Sequence, residues 1–314
     1  MTSTTPHPAA WRGPELLKRE DWLLKLAPTD SLESDALQQK LHAVQHSLEH
    51  GSGASLLRGL PVDKLSEPDS KDLFLTLSQS VGTPLSQSAD GERVFSVRDA
   101  GFKNDDPRAR GPNTRKKLSF HTDRCDVIAF LCLKQAKKGG DNEIVSSLTL
   151  YHEIARRRPD LLEILTQPFP YKRHTIDPAN ERSHCLQPIF SFHENHFACA
   201  FLRVLIDRAH NDPELPSLTN QQVEALDFLE AVAAEPELHV RFRQQPGDIL
   251  FLNNWTTLHR RTEFEDWPDP EQKRHILRIW LSVPNSRPLD RAFADNYGDT
   301  RAGALRGGIK PSSR

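Results

Sequence analysis

Apolar positions Leu37, Leu41, Val44 and Leu48 recur every three to four residues behind Ser31 and the Ser34-Asp35-Ala36-Leu37 start, which predicts a helix that ends near Gly51. Residues 54 to 61 then read as a short strand entering a turn. Helical spacing returns from Ser70 to Val81 and stops at Gly82-Thr83-Pro84. A strand follows at Arg93 to Val97. Residues Asp99 to Lys116 show no periodicity and are read as a long loop, placed to serve as a lid, that delivers the chain to a strand carrying His121.

Further along, Val127-Ile-Ala-Phe-Leu-Cys-Leu133 is an unbroken apolar run of strand length, and Gly139-Gly140 turns it. A capped helix opens at Ser146, and a second, residues 218 to 232, has Thr219 as its N-cap. Short strands are expected at 188 to 192, 197 to 201, 238 to 242, 248 to 252 and 275 to 283. The segment from Arg287, rich in Arg, Gly and Ser, reads as a peripheral tail. Strands spread over the whole length, with helices clustered near the N-terminus and one helical pair inserted, predict a mostly β fold with flanking helices: a double-stranded β-helix of the jelly-roll, cupin-like kind. A doubly wound α/β fold is disfavoured, because strict strand-helix alternation and a Gly-rich phosphate loop are both missing. One domain, 1–314, is expected, with a core at about 51–285, an N-terminal helical segment at 1–50 and the tail at 286–314.

Composition narrows the function classes. The 314 residues carry a formal charge of −2 with no sustained basic block, so neither nucleic acid nor an anionic membrane surface is an expected partner. No run of 18 apolar residues is present, and the first residues lack the layout of a secretion signal, so a cytoplasmic location is expected. The four cysteines, at 125, 132, 185 and 199, have no C-x-x-C spacing and read as reduced thiols.

The candidate chemistry lies in His121-x-Asp123 and an element about 136 residues later, Gly247-Asp-Ile-Leu-Phe-Leu-Asn-Asn-Trp-Thr-Thr-Leu-His259, followed by Arg274 and Arg278. On a strand, residues 121 and 123 share a face, and His259 is expected just beyond the strand that starts at Asp248. Two imidazoles and one carboxylate cap one face of an octahedral ion and leave three positions open, which suits iron(II) and oxygen. Taken singly, each has a plainer reading: a surface hydrogen bond for His-x-Asp, a core histidine for His259, a charged strand edge for the arginines. Arg274, Ile276, Arg278 and Trp280 share one strand face by period 2, which suggests a partly enclosed anion site. His193 and His196 are read as a solvent-facing hairpin turn rather than as ligands.

These blocks, together with Leu56-Leu-Arg-Gly-Leu-Pro61, Val81-Gly-Thr-Pro84 and Gly139-Gly-Asp-Asn142, resemble the taurine dioxygenase and clavaminate synthase-like group of iron(II), 2-oxoglutarate-dependent oxygenases, from about Gly51 to Val283. The resemblance implies that His121, Asp123 and His259 bind iron and that Arg274 grips the distal carboxylate of 2-oxoglutarate. Asn142 stands where many members have a Thr that helps hold that carboxylate. Arg278 matches an arginine that meets the substrate in some members and supports the cosubstrate in others, and Lys117 matches a position lining the substrate pocket, so a small, acidic substrate is implied. Fe(II), 2-oxoglutarate and O2 are the implied cofactors, and hydroxylation of an unactivated C–H bond, with release of succinate and carbon dioxide, is the implied outcome. Asp123 argues against a halogenase, which wants a small residue there. The alternatives are desaturation or cyclisation on the same ligands, or a catalytically silent jelly-roll binder. The substrate itself depends on loops around 99–116 and 165–215.

Overall fold

A computed structural model describes residues 7–27, 34–102 and 111–312. Its largest sheet has seven strands. In spatial order these are Leu23–Lys25, Ala54–Arg58, Ile249–Asn253, Val127–Lys134, His275–Ser282 and Thr83–Leu85, with Phe95–Val97 also pairing with His275–Ser282. A second sheet of three strands places Asn142–Ser146 between His239–Phe242 and Thr257–Arg261.

Alternation along the central strands explains how the sheets are covered. Val127, Ala129 and Leu131 join Ile249, Phe251, Leu277 and Ile279 in a core beneath the helices Asp35–His50 and Glu67–Gln79. Ile128, Leu250, Leu252 and Trp280 point the other way and pack with Ile144 and Val240 of the three-stranded sheet. Both faces are therefore buried, which is why residues 127 to 133 form a continuous apolar run instead of an alternating one. The two sheets face each other as the jelly-roll expectation requires, although they do not close into a continuous barrel. A third core joins the helices Ser147–Arg157, Pro159–Leu165 and Asn220–Ala233 to the hairpin Phe190–His193/His196–Cys199.

Caps mark the helices that the sequence made legible. Ser34 accepts from the Leu37 N–H, and Ser146 accepts from that of Thr149. Thr219 forms a full capping box with Gln222. The second helix begins one turn earlier than expected, at Glu67, because Ser66 caps it and Pro68 suits its first turn. In the hairpin, Glu194 and Asn195 have φ of 48° and 65°, a two-residue turn that leaves His196 exposed.

Three expectations are corrected. His121 lies on no strand; it makes a single isolated bridge to His259 within an otherwise irregular segment. His259 lies inside its own strand, Thr257–Arg261, after a turn at Asn254 to Thr256. The segment after Arg287 is not peripheral. Leu289, Phe293 and Tyr297 pack with Trp255, and Arg306 is buried against Asp126 at 2.6 Å, while Arg287 reaches Glu49 at 2.8 Å. Isolated arginines look solvated in a sequence because the carboxylates that bury them lie far away along the chain. Ser31 and positions 103 to 110 of the proposed lid loop fall outside the described residues.

Candidate metal and cosubstrate site

The irregular segment around His121 is held by hydrogen bonds from three directions. Backbone bonds of 3.0 Å run both ways between His121 and His259. Buried Thr122 donates its N–H to the Phe201 carbonyl (2.7 Å), and its Oγ1 accepts from the Phe201 N–H (3.0 Å). The Asp123 N–H donates to Oδ1 of Asn254 at 3.0 Å. Residues 121 and 123 thus converge without a strand, because Thr122 is anchored on the opposite side.

One ligand atom each from His121, Asp123 and His259 lies within 4.8 Å of the other two. His121 Nδ1 sits 2.9 Å from the Ser119 carbonyl, so it carries the proton and leaves Nε2 free to coordinate. The two imidazole rings are 4.4 Å apart, and Phe130 packs edge-on to His259 at 5.5 Å. Burial, helped by His121, lowers the pKa of His259 to about 3, so its ring is neutral. For Asp123, burial acts to raise the pKa, but the Arg278 charge, helped by the Trp280 N–H, outweighs it and holds the carboxyl below its ordinary value. Two imidazole nitrogens and a carboxylate oxygen on one cavity wall are a donor set that fits iron(II).

Asp123 Oδ2 also meets Arg278 Nη1 at 3.3 Å and Trp280 Nε1 at 3.2 Å. Arg278 is clamped in turn: its Nε donates to Oε1 of Gln87 at 2.7 Å, and its guanidinium lies over Phe95 and Trp280. The Gln87 amide returns a bond to the Arg278 carbonyl at 2.9 Å.

Arg274 is different. It is 3% exposed, and its Nε and Nη1 have no hydrogen-bond partner among the described residues. Its guanidinium lies over Phe264, 5.3 Å from the ring centroid, and burial lowers its pKa to about 10. Gly140, at φ 73°, gives it room, since a Cβ there would stand 3.0 Å from Nε. Asn142 donates from Nδ2 to Gln244 Oε1 at 3.0 Å.

All seven candidate residues, His121, Asp123, His259, Arg274, Asn142, Arg278 and Lys117, line one cavity of about 560 Å³. The strand face of Arg274, Ile276, Arg278 and Trp280 forms part of that wall, as period 2 implied. The sequence did not flag Gln87, Phe264 or Asn254 as supports. Asn254 had a signal in the Asn-Asn pair ending an apolar strand, whereas Gln87 and Phe264 had none. Asn296, Tyr297 and Ile309 of the C-terminal segment also line the cavity.

Residues 24–280 match the family described as taurine catabolism dioxygenase TauD, TfdA family. The chain belongs to that family. FR-33289 synthase of Streptomyces rubellomurinus is 32% identical to it over 266 residues, 82% of this chain and 77% of that protein. Uridine-5'-phosphate dioxygenase of an Amycolatopsis species is 28% identical over 281 residues, 83% of this chain and 94% of the other. Among solved structures, asparagine oxygenase with Fe(II), hydroxyasparagine and succinate superposes with a TM-score of 0.63 at 16% identity, covering 83% of this chain and 93% of that one. At that identity the likeness shows the fold. This TauD, TfdA family member is an iron(II)- and 2-oxoglutarate-dependent dioxygenase. Among the described residues, no helix is long and apolar enough to cross a membrane.

Proposed function

We propose that this dioxygenase, acting as a single domain, hydroxylates an unactivated C–H bond of a small anionic organic molecule. His121 Nε2, Asp123 and His259 would hold iron(II), and Arg274, assisted by Asn142, would receive the far carboxylate of 2-oxoglutarate. One observation carries this assignment: three ligand atoms within 4.8 Å share a cavity with a buried guanidinium that has two unpartnered nitrogens. A buried cation without a counter-charge costs several kcal/mol, and an incoming carboxylate would remove that cost. Anionic substrates are supported by the relative named for uridine-5'-phosphate and by the basic lining of the cavity.

Iron(II) held there would activate O2, the oxidant, with 2-oxoglutarate and the substrate each giving up two electrons: one oxygen atom would end in succinate, formed with release of carbon dioxide, and the other in the hydroxylated product. The chain's own part is placement. Arg278 and Trp280 orient Asp123 from behind, and the Ser119 carbonyl fixes the tautomer of His121. Phe130 and Trp280 add apolar surface to the cavity lining. The four cysteines are buried and unpaired, which supports the expected cytoplasmic location.

The test is coupled turnover. Purified enzyme given iron(II), 2-oxoglutarate and candidate substrates should form succinate and hydroxylated product one for one. Asp123→Ala should abolish both, and retained hydroxylation in that variant would overturn the ligand assignment. Mass analysis of the product separates hydroxylation from desaturation or ring closure.

A further inference from the structure

We infer that the primary substrate carries a doubly charged oxyanion group, held at the outer end of the cavity by Arg208 with His174 and Lys117, and not by Arg278. This rests on the reading that the inner end takes iron(II) and 2-oxoglutarate. Eight arginines and one lysine line the cavity. Five of these arginines face carboxylates: Arg124 meets Asp177 at 3.1 Å, Arg173 meets Asp295 at 3.3 Å, Arg203 meets Asp207 at 2.7 Å, Arg260 meets Glu143, and Arg278 meets Asp123. The other four cations have no carboxylate partner among the described residues.

Those four fall into two groups. Arg261 and Arg274 lie over the same ring, Phe264, at 4.7 Å and 5.3 Å. Both are buried at the inner end, where 2-oxoglutarate is assigned. Arg208 and Lys117 are exposed at the rim. Arg208 is not a loose surface side chain, because its Nη1 is held 2.5 Å from Nδ1 of His174, a partner that brings no negative charge. The rim is built from separate stretches of chain: residues just upstream of His121, the turn after strand Phe169–Lys172, and helix Arg203–His210.

Asp207, which lines the cavity one residue from Arg208, is engaged by Arg203. Several basic side chains around an open cavity concentrate anions, and a dianion gains more from them than a monoanion does. Val204, 44% exposed one turn before Arg208, adds apolar surface beside the charges, which suits an organic anion. Arg278 is the obvious rival, but its Nε is committed to Gln87, its Nη1 to Asp123, and its plane is covered by Phe95 and Trp280. It acts on Asp123 as a positioning residue.

The probe is inorganic phosphate, titrated calorimetrically at low ionic strength into the full-length protein loaded with Mn(II) and 2-oxoglutarate, with acetate as the monoanion comparison. Wild type should take up phosphate saturably and more tightly than acetate. Arg208→Gln should weaken phosphate binding about ten- to a hundredfold, as expected for losing a charge-assisted contact, with 2-oxoglutarate affinity unchanged. Arg156→Gln, an exposed arginine outside the cavity, is the control for nonspecific charge loss. The inference is overturned if wild type takes up no phosphate, if acetate binds as tightly, if phosphate displaces 2-oxoglutarate, or if Arg208→Gln behaves like the control. Failure of wild type to bind 2-oxoglutarate at all would instead strike the assignment of the inner end, a separate result in the same titration.

Discussion

Arg274 and Arg278 stand four residues apart on one wall of the cavity, yet their surroundings are opposite. Arg278 has a carboxylate, an amide and two aromatic faces around it. Arg274, which is buried more deeply, has one aromatic face and two orphaned nitrogens. A satisfied buried charge belongs to the folded protein, whereas an unsatisfied one marks where a ligand completes the structure. Residue type and strand position do not separate the two; only their partners do.

The largest effect that would break this comparison comes from Arg274→Met. It should lower 2-oxoglutarate affinity by about a hundredfold, the worth of a charge-assisted pair, as measured calorimetrically with Mn(II) in place of iron. The same variant without ligands should melt no lower than wild type, because it removes an uncompensated buried charge. Unchanged cosubstrate binding would show that the orphaned guanidinium has another purpose.

Arg278→Met should behave in the reverse way. Asp123 loses its anchor, so metal affinity should fall about ten- to a hundredfold, and the metal-free protein should be less stable because a buried carboxylate is left unpaired. Equal metal affinity in the variant would remove Arg278 from its positioning role.

Gly140→Ala sharpens the contrast with a smaller change. Its φ of 73° and the 3.0 Å approach to Arg274 Nε should cost about 1 kcal/mol and weaken 2-oxoglutarate binding a few-fold, leaving metal affinity as in wild type. The smallest effect concerns a satisfied carboxylate remote from the cavity. Burial acts to raise the pKa of Asp21, but Arg19, the Ser52 N–H and the Ser47 hydroxyl outweigh it and lower the pKa to about 2. Because the folded value lies below the unfolded one, this stabilisation is complete above about pH 4 and is lost as the pH falls toward 2. Asp21→Asn should therefore be destabilised by about 1 kcal/mol at neutral pH, after allowance for solvent screening, and the gap should close in acid melts. A gap that persists at pH 2 would mean the loss is steric.

Legibility in the sequence followed how local the cause was. Helices with caps, such as Asp35–His50 and Asn220–Ala233, were read because cap and period lie within a few residues of each other. The strand Asn142–Ser146 was not, since its polar first residues gain their meaning only between two partner strands. The pairs Phe169–Lys172 with His184–Gln187, and the helix Arg203–His210, were missed because they are short and Arg-, His- and Pro-containing. In the site, His-x-Asp and the distal His were legible as residue types at family spacing. The strand assumed to carry His121 was not there, and anchoring by Thr122, Phe201 and Asn254 replaces it.

The amino-acid order alone determined which groups could bind a metal and a dicarboxylate, because donor chemistry belongs to the side chain. Tertiary structure alone decided which arginines are already neutralised and which still await a counter-charge. Electrostatic partnership depends on distance through space, and Arg306 with Asp126, 180 positions apart yet 2.6 Å from contact to contact, shows how little of that distance the chain order carries.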